Sequence, residues 1–297
     1  MLHIPVLLNE VLNCLNPKPN ENFVDCTVGM GGHALAILER VAPKGRVLGI
    51  DWDESSLQEA DLQLTTDDLR QRIQLVQGNF ADIEKIIQQE RFGPVHGVLM
   101  DLGFSSWHLE ASGRGFTFQR EEPLDMRLSP QAEVLTAAEL LNMLPEKELE
   151  RILRVFGEER FSRQIVKEIV AQRRKKKFTK TTELVCAVLA AVPKRFGRSR
   201  IHPATRTFQA LRIAVNHELE NLTRGLAGAL AVLAPGGRMA ALSFHSLEDR
   251  IVKQFMREHV KTKELQLLAK KPVTPSVDEI RQNPRARSAK LRAANKL

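Results

Sequence analysis

Tyrosine is missing from this chain altogether, and aromatic residues of all kinds make up only 5% of it. That scarcity argues against a broad aromatic platform for stacking bases. Cysteine is sparse as well: Cys14, Cys26 and Cys186 are the only three. None is spaced from another like a zinc knuckle or a redox pair, and an odd, low count fits a reducing compartment. No apolar run is long enough to cross a membrane. The amino terminus, MLHIPVLLNEVL, has no basic region before its apolar stretch and carries Glu10 inside it, so it does not read as a signal peptide. The expectation is a soluble, cytoplasmic protein. Acidic side chains are in deficit, 36 against 44 basic ones, which leaves a net charge of +8. That excess favours an anionic partner such as nucleic acid.

Hydrophobic residues reach 43% over 297 positions, enough to bury a sizeable core in one large domain or two smaller ones. Short apolar runs alternate with helical patterns in the first hundred residues. Strands are predicted at Phe23–Cys26, Arg46–Ile50, Ile73–Val76 and Val95–Met100. Helices are predicted between them at Ala34–Val41, Ser55–Leu64 and Ile83–Glu90, with Ser55 or Ser56 as an N-cap. This alternation implies βαβ units and a parallel sheet. Residues 109–132 are polar and rich in turn formers. From Ala137 to Val192 nearly everything reads as helix, with Ser162 and Thr181 as N-caps. The α/β pattern returns near Pro203, with one long helix over Phe208–Leu233, a turn at Pro235–Gly237 and a strand at Arg238–Phe244. A helix follows over Ser246–Val260, capped by Ser246 with Asp249. The domain expectation is an α/β domain over 1–108 and 203–297, divided by a helical insertion over 109–202.

Chemistry concentrates where strands end. Asp25-Cys-Thr-Val-Gly-Met-Gly-Gly-His33 lies between a strand and a helix, where glycines let the backbone turn sharply and approach a ligand. Asp51, 20 residues after Gly31, ends the next strand, where a carboxylate accepts hydrogen bonds from ribose hydroxyls. Gly29, Gly31 and Ala34 also satisfy a loose dinucleotide fingerprint, so a nicotinamide or flavin oxidoreductase is a competing reading. Asp25 favours S-adenosylmethionine, whose sulfonium and ammonium suit a neighbouring carboxylate, whereas a pyrophosphate would be repelled. The plainer alternative is a tight turn with Asp51 starting a helix. Asp101 ends the fourth strand, on the sheet edge that faces the ligand crevice; it reads equally as a loop cap.

Longer words then carry a resemblance. They are His3-Ile-Pro-Val-Leu-Leu, Asp25–His33, Asp101–Ser106, Arg114-Gly-Phe-Thr-Phe, Pro123-Leu-Asp-Met-Arg and Pro203-Ala-Thr-Arg-Thr-Phe-Gln-Ala-Leu-Arg. Ser243-Phe-His-Ser-Leu-Glu-Asp-Arg and Asn283-Pro-Arg-Ala-Arg-Ser-Ala-Lys-Leu-Arg complete the set. Together, over essentially the whole chain, they resemble the bacterial 16S ribosomal RNA cytosine-N4 methyltransferase family, the MraW or RsmH family. The resemblance implies a Rossmann-like, S-adenosylmethionine-dependent methyltransferase with a helical insertion. It also implies methylation of a cytidine N4 amine in the decoding region of 16S rRNA, near the P site. The family's cofactor positions carry over to Gly31, Gly32, His33, Asp51, Phe80 and Asp101. At the further position, seven residues after Asp101, the family usually has Gln and this chain has His108; a neutral imidazole cannot donate and accept through one end as an amide does. Ala34 and Phe156 stand where Ser and Tyr are common.

Other residues keep two readings. Phe80 follows the third strand and is either core or an adenine contact, and the resemblance favours contact. His245, with Ser243, Ser246, Glu248 and Asp249, either caps a helix or shapes a cytosine pocket. Thr205, Arg206, Gln209 and Arg212 are candidates for RNA or active-site contacts. The basic clusters Arg173–Lys177, Lys194–Arg200 and Arg281–Lys296 suit a phosphate backbone or, equally, a solvated surface. The expected chemistry is direct methyl transfer to an amine polarised by Asp101 as catalytic acceptor. No cysteine stands where covalent attack on the cytosine ring would place one, and no metal site is expected. A non-catalytic ribosome-assembly binder is the remaining alternative.

Overall fold

The computed structural model describes residues 5–103, 106–193 and 202–297. The chain folds as two units, Met1–Gly103 with Leu219–Leu297, and Phe104–Glu218. In the first unit the elements run α1 (Leu8–Leu15), β1 (Phe23–Asp25), α2 (Gly32–Arg40), β2 (Val47–Asp51), α3 (Glu54–Leu62), α4 (Asp67–Arg72), β3 (Ile73–Gln77), α5 (Ile83–Gln89) and β4 (Val95–Asp101). The second unit holds α6 (Ser106–Glu110), α7 (Ala137–Met143), α8 (Glu146–Phe156), α9 (Ser162–Arg173), α10 (Thr181–Ala191) and α11 (Thr205–Asn216). The chain then closes the first unit with α12 (Glu218–Val232), β5 (Leu233–Ser243), α13 (Ser246–Lys261), β6 (Leu265–Leu267), α14 (Val277–Gln282) and β7 (Lys290–Lys296).

The seven strands form one sheet in the order β3-β2-β1-β4-β5-β7-β6. Six strands run in one direction, and β7 alone opposes them, pairing antiparallel with β5 and β6. Alternate side chains serve opposite faces, as the pleat requires. Val24, Leu48, Ile50, Val98 and Met100 meet apolar residues of α5, α12 and α13. Phe23, Val47, Leu99 and Leu242 meet those of α1 and α2. Both faces are covered, which is why these strands read as continuous apolar runs. The strand order reverses between β1 and β4, and a crevice opens at the carboxyl ends of strands at such a point. This is a Rossmann-like α/β fold.

The helical unit has its own core, including Leu141, Leu149, Leu153, Ile165, Ile169, Leu184, Val188, Phe208 and Leu211. It extends to Glu218, beyond the expected limit at 202, because α11 packs on α7 and α8. The single helix expected over Phe208–Leu233 is two. His217 adopts a left-handed conformation at φ 50° and caps α11 through its N–H to the Ile213 carbonyl. Capping differs elsewhere too. Asp53, not Ser55 or Ser56, caps α3 by accepting from the Ser55 N–H, and Ser162 and Thr181 are the first helical residues rather than caps.

Candidate active site

The turn after β1 is built by its neighbours. The Cys26 N–H donates to the Leu99 carbonyl and the Val28 N–H to the Ile50 carbonyl, so the segment continues the sheet in both directions. Gly29 and Gly31 then take φ of +51° and +86°, a region that glycine enters without steric cost. The Gly29 N–H donates to Asp51 Oδ2 at 2.9 Å, and the Gly31 N–H to the Val28 carbonyl. Asp51 Oδ1 accepts from the Asp53 N–H at 2.9 Å. Gly32 begins α2; a side chain there would meet Pro5 Cγ at 2.5 Å, so chain packing alone requires this glycine.

Thr27 joins two strand ends. Its N–H donates to Asp25 Oδ1 at 3.1 Å, and its hydroxyl accepts from the Asp101 N–H at 2.7 Å. Thr27 carries no signal of its own in the sequence, although it stands inside the Asp25–His33 motif. His33 is buried, with Nε2 3.1 Å from the Val6 carbonyl and Nδ1 3.6 Å from Asp101 Oδ2. A carbonyl only accepts, so Nε2 carries a proton and Nδ1 faces the carboxyl.

Acidity is displaced here. Burial, with help from Asp51, pushes the Asp25 carboxyl up to about 7 against the opposing hydrogen bond from Thr27. Burial, then Asp25 and Glu248, raises Asp101 well above the usual carboxylate range. Asp101 Oδ1 is buried and has no hydrogen-bond partner among the described residues. Cys26 is fully buried, and burial followed by Asp25 pushes its thiol well up, which leaves it unreactive.

The remaining candidates sit as follows. Phe80 opens a short 3₁₀ turn after β3 and packs, partly buried, on α12; a side chain at Gly225 would come within 2.4 Å of its ring. His245 caps α13, its Nδ1 accepting from the Glu248 N–H, while Glu248 Oε2 accepts from the Phe244 and His245 N–H groups. The capping pair is therefore His245 with Glu248, one residue before the expected Ser246 with Asp249. In the helical unit, His108 lies on α6, buried edge-on against Trp107 and Phe116. Arg206 and Gln209 donate to the Glu158 and Phe156 carbonyls at and beyond the end of α8, and Arg212 pairs with Glu218. These three support the helical unit itself.

The basic clusters divide in the same way. Lys194–Arg200 lies outside the described residues. Arg173 holds the Leu141 and Leu144 carbonyls and Lys176 pairs with Glu183, while Lys175 and Lys177 line a cavity of about 370 Å³. In the tail, Lys290 and Arg292 pair with Asp249, and Lys296 holds the Leu230 and Leu233 carbonyls.

This donor set chooses among cofactors. A pyrophosphate needs open amides, yet the Gly29 and Gly31 amides are taken, and Asp25, Asp51 and Asp101 crowd one sheet edge. Carboxylates crowded and buried at this edge suit a cationic nucleoside instead. Fold and edge together define a methyltransferase of the Rossmann-like class. The chain matches the MraW methylase family over residues 1–297. Ribosomal RNA small subunit methyltransferase H of Syntrophotalea carbinolica is 48% identical over 99% of this chain and 98% of its own length. The proteins of the same name from Heliobacterium modesticaldum and Persephonella marina are 45% and 44% identical, each over 99% of this chain and 98% and 99% of their own. The chain belongs to the MraW methylase family, and membership of a methylase family implies S-adenosylmethionine as methyl donor.

Proposed function

We propose that this protein methylates the N4 amine of a specific cytidine of 16S rRNA, in the decoding region at the P site, within the small ribosomal subunit in the cytoplasm. The rRNA substrate is suggested by the names of its relatives. The observation that carries the chemistry is Asp101 at the end of β4, whose buried Oδ1 has no hydrogen-bond partner among the described residues.

Cofactor binding falls to Gly31, Gly32, His33, Asp51, Phe80, Asp101 and His108. Asp51 takes the ribose hydroxyls and Phe80 packs on adenine. Bound S-adenosylmethionine supplies an electrophilic methyl group. A cytosine amine is a poor nucleophile because its lone pair is delocalised into the ring. Asp101 accepts a hydrogen bond from that amine and lets the nitrogen become tetrahedral, with His33 Nδ1 behind Oδ2. Burial that raises the Asp101 carboxyl also makes its ionised form a better proton acceptor. Cys26 is too well buried to attack a ring, which supports direct transfer without a covalent enzyme–RNA intermediate. The target cytidine must leave its stack to reach the edge. RNA recognition falls to the helical unit, Phe104–Glu218, where Lys175 and Lys177 border a cavity.

The test is to incubate the protein with labelled cofactor and small subunits from a strain lacking the gene, then digest the RNA to nucleosides. Label in N4-methylcytidine is expected. Label in 5-methylcytidine refutes the chemistry, and no label supports a non-catalytic assembly role.

A further inference from the structure

One cationic cavity lies on the first unit, at the far border of its sheet, and takes no part in the chemistry above. It measures about 190 Å³ and is lined by Lys253 and Arg257 of α13, Lys270 after β6, and Arg292 of β7, with Met256 beneath. Among the described residues no carboxylate lines it. Arg292 is neutralised by Asp249 through Nε, at 2.7 Å. Lys253, Arg257 and Lys270 are exposed and pair with no acidic side chain among the described residues. Three uncompensated cations therefore converge on one hollow.

The arrangement follows from the fold. Lys253 and Arg257 are four residues apart on α13, so their side chains stand together on one helix face. Lys261 continues that face one turn further, and Lys271 extends the charge beyond Lys270. Glu258 is one residue from Arg257 and so points about 100° away around the helix. The antiparallel pairing of β6 with β7 carries Lys270 and Arg292 to the same place. A hollow that continues into a line of cations fits a chain of phosphates better than one isolated anion.

We propose that this cavity is a docking site for the phosphate backbone of the RNA substrate, distinct from the methyl-transfer edge and from the helical insertion. The proposal rests on the RNA methyltransferase reading. The cavity grips the RNA by charge, independent of base identity, and adds affinity without touching the reacting atoms.

The experiment measures binding rather than turnover, so it separates the two readings. Deproteinised small-subunit rRNA is titrated with the full chain between ~50 and ~200 mM salt. The triple variant K253E/R257E/K270E is compared with R40E/K44E/K85E, which reverses three exposed cations elsewhere on the same unit. The first triple is expected to weaken binding at least about tenfold and to lower the slope of log affinity against log salt by about 2–3. The second triple should leave the slope near that of the parent. Thermal melting and S-adenosylmethionine calorimetry should be unchanged in both. Equal losses from both triples would reduce the effect to net charge and overturn the site. So would an unchanged slope, or lost adhesion to phosphatidylglycerol vesicles with RNA binding intact. A parent that binds RNA through this cavity but never methylates it would sink the enzymatic reading alone.

Discussion

Asp25 shows how one side chain trades stability for binding. Its folded carboxyl titrates at about 7, against an ordinary value of 3.8, because burial outweighs the Thr27 hydrogen bond. The ionised form therefore costs stability, and that cost grows as pH rises from about 4 through about 7. Asp25→Asn keeps an oxygen for the Thr27 N–H and removes the charge. It should melt like the parent near pH 4 and be more stable by a few kcal/mol at pH 8, since each tenfold change in proton affinity is worth about 1.4 kcal/mol. Equal melting temperatures at pH 8 would refute this. A cation bound beside Asp25 lowers its pKa, so S-adenosylmethionine binding should release protons and tighten as pH rises toward 7. Calorimetry in two buffers of different ionisation enthalpy reads that release directly, and the Asn variant should show less of it. Asp51→Ala should weaken the cofactor by roughly 1–3 kcal/mol, the cost of unmatched polar groups. It also frees the Gly29 amide that holds the turn. Unchanged affinity would remove Asp51 from the site.

Helix ends carry much of the local order at the scale of elements. Glu183 in the first turn of α10 accepts from the Thr179 and Lys180 N–H groups and pairs with Lys176. Although burial opposes it, these partners hold its carboxyl down at about 2. Its contribution is complete above about pH 4.5 and is lost as pH falls to about 2. Glu183→Gln should lower stability by about 1–2 kcal/mol near neutral pH, allowing for solvent screening, and by nothing near pH 2. Melting temperature against pH for both proteins checks this, and a gap that persists in acid contradicts it. At α13, moving the cap to His245 and Glu248 releases Asp249 from capping. Asp249 then serves the tail, through Lys290 and Arg292.

That link matters for the whole molecule. The last residues look like a basic, solvated tail, yet β7 lies inside the sheet and buries Leu291, Ala293 and Ala294. Ending the chain before Lys290 would expose the edge of β5 and strand β6, which pairs only with β7 among the described strands. Burying one leucine alone is worth about 1.5–3 kcal/mol. Truncation should therefore lower the melting temperature of the first unit by many degrees and promote association through the open edge. A truncated chain that melts with the parent and stays monodisperse would show β7 to be dispensable.

Local signals were sufficient for much of this protein. The alternation of apolar runs with helical faces, the glycines that permit positive φ, and the aspartates closing β1, β2 and β4 are all written within a few residues of where they act. They establish the parallel half of the sheet and the candidate cofactor edge from the sequence alone. Other features have no local signature. The insertion of β7 beside β5 joins segments about fifty residues apart, and the short strand Lys290–Lys296 is masked by its charges. The division of the helix at His217 depends on one backbone conformation that a helical pattern does not reveal. Thr27 and Asp101 meet across 74 positions. The cations of the α13 cavity come from two elements and a loop, so only the folded chain could gather them. Periodicity reports which face of an element is buried; it does not report which distant element covers it, because pairing is decided by backbone hydrogen bonds and charge partners that lie far apart along the chain.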